Sequence, residues 1–306
     1  LTLDSNSLTW QAPKASAATV KGYNIYRNDI KVHSVSARTI ACTLPEPNGL
    51  YHVTAVYSNG IESSPSNYFS PEVNEQSVSA TITGDVNATY FQYIRNMVTE
   101  HRLRDINMAD ANVAQSSKYY MTLYRILPDE FPAHIFENAT TLRSIILPKS
   151  LKSIGEKAFK YSGIENVDFS DGITSIKFEA FAHCNNIKKA VLPACLQNLA
   201  MDNFAYCSSF EELIIKGQLQ NLGQGVCYGN AKRTKVWIYN NRVISASIYI
   251  FDNGADVHVY PELANAYRSA AHWNHNTINI IGDLERPLYV SNLRTEDDNL
   301  VWDGNI

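Results

Sequence analysis

The side chains able to do chemistry are scattered along the chain. Of the eight histidines, His272 and His275 stand three residues apart, but no acid or cysteine in the same segment completes a metal set. Asp168 and Asp171 flank a turn between two strand-like runs, where solvated turn carboxylates are expected rather than an acid/base pair. Gly223-x-Gly225 lacks the strand, the third glycine and the distal acid of a dinucleotide fingerprint. The five cysteines include no C-x-x-C pair, so neither a disulfide framework nor a zinc site is indicated. Cys184 and Cys207 fall at a recurring position also held by Ala139 and Ser162, which reads as a ladder of small buried residues with free thiols. No catalytic residue, metal or cofactor is therefore expected. What remains is recognition chemistry: Trp237, Tyr239, His258 and Tyr260 lie at intervals that gather them if the chain repeats, with Ile214 and Val191 ahead of them in the same column.

The chain does repeat. Leu142-Arg-Ser-Ile-Ile-Leu147, with Phe159 twelve residues on, returns as Ile164, Val167, Phe169 and Phe181, then Ile187, Ala190, Leu192 and Phe204, then Phe210, Leu213, Ile215 and Cys227. The spacing is 22 or 23 residues. One such unit cannot bury its apolar side alone, so it must stack on its copies as a solenoid. The shared phase predicts one parallel sheet of seven or eight short strands, near Ile106, Ile145, Val167, Ala190, Leu213, Val236, Val257 and Ile278. Because strand side chains alternate, the outward column reads Asn107, Ile146, Asp168, Val191, Ile214, Trp237, His258 and Asn279.

Residues 1–72 alternate as short strands punctuated by Asn28-Asp29, Pro47-Asn-Gly49 and Ser58-Asn-Gly60, which reads as a β-sandwich. Residues 73–77 read as a linker. Val78–Thr83 has strand alternation, and Phe91, Ile94 and Val98 follow at helical spacing behind Asn87 as an N-cap. That strand and helix suit an N-terminal cap for a solenoid over 78–283. The surplus at Ala114–Arg125 should loop out, and Pro261–Ala271, with Leu263, Ala266, Tyr267 and Ala270 on one face and Trp273 behind it, should close the array. Residues 287–306 repeat the Leu-x-Trp phrase of Leu8–Trp10 at Leu300–Trp302 and read as the truncated start of a second sandwich. The fold class is thus mainly β with short helices, a capped solenoid preceded by a β-sandwich module.

A net charge of −4 with 18% charged residues supplies no basic face for nucleic acid or a membrane surface. No run of 18 apolar residues is present, so no membrane insertion is expected. The first residues show no basic n-region followed by an apolar run, so a mature fragment is expected.

Ile145-Ile-Leu-Pro148, Leu151-Lys-Ser-Ile-Gly155, Ala158-Phe159 and Ala182-His-Cys184 resemble the BspA-like leucine-rich repeats of bacterial surface proteins. Trp10, Gly22-Tyr-Asn-Ile-Tyr26 and Tyr51-x-Val53-x-Ala55 resemble a fibronectin type III module. These resemblances imply a secreted or cell-surface bacterial protein with no catalytic motif to carry over. The function they imply is non-enzymatic binding or adhesion, with the repeat sheet presented to an extracellular protein or glycan through Trp237, Tyr239, His258, Tyr260, Ile214 and Val191. The alternative is an accessory region of a larger secreted polysaccharide-processing enzyme whose catalysis lies outside these residues.

Overall fold

The computed structural model describes residues 2–4, 7–13, 19–44, 46, 48–71, 73, 78–101, 103–116, 118–121, 124–217, 219–286, 294–296 and 299–301. Each solenoid turn has three sides, here called front, back and turn sides. The front carries the expected strands, all parallel: Ser79–Thr81, Asp105–Asn107, Ser144–Ile146 and Asn166–Asp168 in one ladder, and Lys189–Leu192, Glu212–Ile215, Thr234–Ile238, Ala255–Val259 and Ile278–Gly282 in a second. The single sheet expected from sequence is therefore interrupted after Asp168. The interruption coincides with Phe169, a half-buried ring at the inward position that Leu147, Leu192 and Ile215 fill in other turns; it packs edge-on against Phe181 at 5.6 Å.

A further parallel ladder, absent from the sequence expectation, forms the back: Glu130–Phe131, Ser153–Ile154, Ser175–Ile176, Asn198–Leu199, Asn221–Leu222 and Ser245–Ala246. Each strand buries its second residue or packs it against the core, and keeps a polar one outside. Gly155 follows the second of these strands because a Cβ there would stand 2.5 Å from the Ala133 nitrogen of the turn before. The turn side is also bonded from rung to rung: the Phe159 N–H donates to Ala180 O at 2.8 Å and that of Phe181 to Asn203 O at 3.1 Å. Satisfying the backbone on all three sides leaves the interior free for apolar side chains. Phe131, Phe159, Phe181, Phe204 and Phe210 stack there at centroid distances of 5.0–5.5 Å.

Both ends are closed. Helix α1 (Ala88–His101) is capped by Asn87, whose Oδ1 accepts the Tyr90 N–H at 3.0 Å, and it buries Phe91, Ile94 and Val98. From its flank Arg95 donates to the carbonyls of His134, Ile135 and Glu137 on the turn side. At the other end α2 (Pro261–Ser269) starts on Pro261 and buries Ala264 and Tyr267, with Leu263 and Ala270 packed beside them. Ala266, expected on that face, is exposed. Trp273 is buried and donates its indole N–H to Ile244 O at 2.7 Å.

The N-terminal strands form two three-stranded antiparallel sheets around Leu8, Trp10, Tyr23, Ile25, Leu44, Tyr51, Val53 and Ala55. The Tyr51 hydroxyl donates to Glu46 O at 2.8 Å, the back-bond of a tyrosine corner. This body is docked on the cap. Asn28 and Asp29, a turn with φ of 50° and 67°, face the start of α1: Asn87 donates to Asn28 O at 2.9 Å and Thr89 to Asp29 Oδ2 at 2.6 Å. Val73, the first residue of the expected linker, is fully buried in the solenoid core and its carbonyl accepts from Tyr93. Residues 74–77 lie outside the described residues. The surplus at 114–125 does loop out, and it forms the hairpin Tyr119–Tyr120/Tyr124–Arg125 and sends Lys118 to Asp29 at 2.9 Å. Of the expected second module, Arg294–Glu296 and Asn299–Val301 pair antiparallel, whereas 287–293, 297–298 and 302–306 lie outside the described residues.

Candidate binding face

On the front, Val191, Ile214, Trp237 and His258 are adjacent in register, each half-buried with its remaining surface outward. The column ends on Ile281 and not on Asn279, which pairs with Asp256. Alternation alone cannot separate positions two apart on one face, which is why the last rung slips in a reading from sequence. With strands about 4.8 Å apart, Val191 to Ile281 spans roughly 19 Å. A charged column runs beside it: Lys189, Glu212, Lys235 and Asp256 alternate in sign, with Lys189 and Glu212 paired at 3.1 Å. The side-chain bond from Arg233, ahead of that from Asn279, holds the Asp256 carboxyl below its ordinary range.

Trp237 and His258 are parallel, with centroids 4.9 Å apart and planes 9° apart, so the indole turns one face to the imidazole. His258 is fixed by Asp283, whose carboxylate lies 2.9 Å from Nδ1. Tyr239 is half-buried and meets Tyr260 edge-on at 6.4 Å. Tyr260 departs from the expected exposed cluster, being only 4% exposed. Arg286 covers it: the guanidinium sits 4.2 Å over the phenol ring, with Nε donating to Glu262 at 2.6 Å and Nη1 to Asn241 at 3.0 Å. The sequence reading missed Asp283 and Arg286, because both lie beyond the last repeat and carry no periodic signal.

Elsewhere, the Cys184, Cys207 and Cys227 thiols are buried. Cys184 and Cys207 donate to Phe159 O and Phe181 O at 3.0 and 3.2 Å, and all five cysteines are free. Burial pushes the Cys184 thiol up to about 12. Among the described residues no three His, Cys, Asp or Glu side chains gather as a metal set, and no helix is long and apolar enough to cross a membrane.

Residues 129–256 match the family model for a BspA type leucine rich repeat region, in six copies. No significant match to a curated protein is found. Three solved structures are similar in part. A leucine rich cell surface protein from Faecalibacterium prausnitzii is 19% identical over 64% of this chain and 38% of its own, with a TM-score of 0.32. The pneumococcal vaccine antigen PcpA is 13% identical over 66% of this chain and 56% of its own, with a TM-score of 0.42. A leucine-rich repeat protein from Bacteroides ovatus is 18% identical over 71% of this chain and 68% of its own, with a TM-score of 0.28. The chain thus spans less than two thirds of the length of the first two. The family match and the stacked parallel rungs agree, and residues 129–256 are a BspA-type leucine-rich repeat region.

Proposed function

We propose that this chain is a non-enzymatic, extracellular or cell-surface binding protein whose front sheet docks an extracellular protein. The observation that carries the reading is the stripe of Val191, Ile214, Trp237 and His258, partly exposed on four adjacent strands and flanked by charges of alternating sign. An apolar centre with a polar rim, built around a Trp, is the composition of a protein-binding hot spot. A flat sheet face suits a protein surface better than an enclosed small molecule. Residues 1–72 are read as a fibronectin type III-like module, a reading supported by the packing of Trp10 against Tyr23 at 5.5 Å and by the Tyr51 back-bond to Glu46. Its hydrogen bonds to the cap favour a fixed bracket over a loose spacer.

The test is a screen of the 306-residue chain against arrayed extracellular-matrix proteins and glycans, run beside Trp237→Ala. The expected result is a protein ligand whose affinity falls by about 2 kcal/mol or more in the variant, with the thermal midpoint unchanged. Undiminished binding by Trp237→Ala would place the interface elsewhere.

A further inference from the structure

A concave surface stands apart from the front sheet. A cavity of about 520 Å³ opens between the turn-side segment 248–252 and the segment 272–278 that follows α2. That volume lies in the range of small-molecule sites. Its lining joins the apolar Ile248, Ile250, Phe251 and Ile278 to Tyr228, Tyr249, Asp252, His272, Asn274 and His275. The two tyrosines meet at 66° with centroids 6.3 Å apart, forming a corner of aromatic surface.

Tyr249 is the unusual member. It occupies a turn-side position that takes a left-handed backbone in every rung: His134, Lys157, Glu179, Asp202 and Gly225 have φ between 51° and 63°, and Tyr249 has 55°. A bulky residue there is strained where glycine is not. In three of the preceding rungs the side chain pairs with a neighbour: His134 with Glu137 at 2.7 Å, Lys157 with Glu156 at 3.2 Å, and Glu179 with Lys160 at 2.6 Å. Tyr249 instead leaves 66% of its surface in solvent. His272, in the same lining, is also left-handed, with φ of 66°. Tyr249 and His272 thus face one cavity, both from left-handed backbone.

We infer that this cavity binds the end of a neutral saccharide chain. No lysine or arginine lines it, so it offers no permanent cation to a phosphate, sulfate or uronate. The lining combines an aromatic corner, on which the apolar C–H face of a pyranose can lie, with a carboxylate, an amide and two imidazoles that both accept from and donate to hydroxyls. Asp252, as an acceptor of two hydroxyl protons, is the strongest of these groups. The inference does not depend on the front-sheet reading, since it involves different residues and a different ligand class.

The experiment titrates the intact chain by calorimetry with cellotriose, maltotriose, xylotriose and N,N′,N″-triacetylchitotriose, and with choline as a cationic probe of the same aromatic corner. At least one trisaccharide is expected to bind, and Tyr249→Gly and Asp252→Ala should each weaken it tenfold or more. Glycine suits the backbone at 249, so the thermal midpoint should hold or rise in Tyr249→Gly, which separates lost recognition from lost folding. Tyr161→Gly, another exposed left-handed tyrosine but one outside the cavity, is the control and should leave binding unchanged. The inference is overturned if no trisaccharide binds, if binding survives Tyr249→Gly, or if choline binds and the sugars do not.

Discussion

Phe181 shows how much of this protein is decided one side chain at a time. Its ring lies between Phe159 at 5.0 Å and Phe204 at 5.5 Å, nearly parallel to both, with Phe169 against its edge. The rungs on either side of Phe181 are bonded to its own on the back and turn sides, so they have little freedom to collapse into a void. Phe181→Ala should therefore cost about 3–5 kcal/mol in chemical denaturation, and a loss below about 1 kcal/mol would show that the stack is not core. This column was legible because a large apolar residue recurs every 22 or 23 positions. The burial of Tyr260 was not legible, because its cover, Arg286, is 26 residues downstream and outside the repeat. The same holds for His258, whose partner Asp283 belongs to the chain leaving the last strand.

At the scale of elements, the front strands could be read from L-x-x-I-x-L because three inward side chains per strand leave a phase. The back ladder could not. Its strands are two residues long, as in Ser153–Ile154 and Ser175–Ile176, too short for alternation to distinguish them from a turn. The hairpin of Tyr119–Tyr120 and Tyr124–Arg125 escaped for a related reason: its strands are two residues long, and the first of them packs near α1. Caps follow another logic, since a solenoid end exposes carbonyls that the next rung would otherwise bond. Arg95 meets three of them from α1. Arg95→Met keeps the aliphatic stem and removes these donors. It should cost about 1.5–3 kcal/mol, with faster amide exchange concentrated at residues 130–142; an unchanged midpoint would show that water replaces the guanidinium without loss.

For the whole molecule the decisive feature is the joint between the N-terminal sheets and the solenoid cap. His52 sits in it, stacked on Tyr26 at 4.7 Å, edge-on to Tyr68 at 5.0 Å, and 3.9 Å from Asp29, which also holds Lys118 and Thr89. Burial lowers the His52 pKa and Lys118 adds to the effect, while Asp29 and Glu62 oppose it. A lowered imidazole pKa means that the unfolded chain takes up a proton first as pH falls below about 6.5. The contribution of His52 is therefore complete above that pH, and it declines through the interval down to the folded-state value. Stability measured by denaturant should fall between pH 7 and pH 5, and the fall should be smaller in His52→Asn. An equal fall in both proteins would assign the acid sensitivity to other groups.

Hydroxyl-radical footprinting tests directly whether the front sheet is the working surface. The chain is oxidised alone and in complex with the strongest protein ligand from the matrix array, and side-chain modification is read by mass spectrometry. Protection of Trp237, Tyr239 and His258, with Tyr161 and Tyr206 on the turn side unchanged, is the predicted result. Protection confined to the turn side or to the N-terminal sheets, with Trp237 as reactive in the complex as alone, would contradict it.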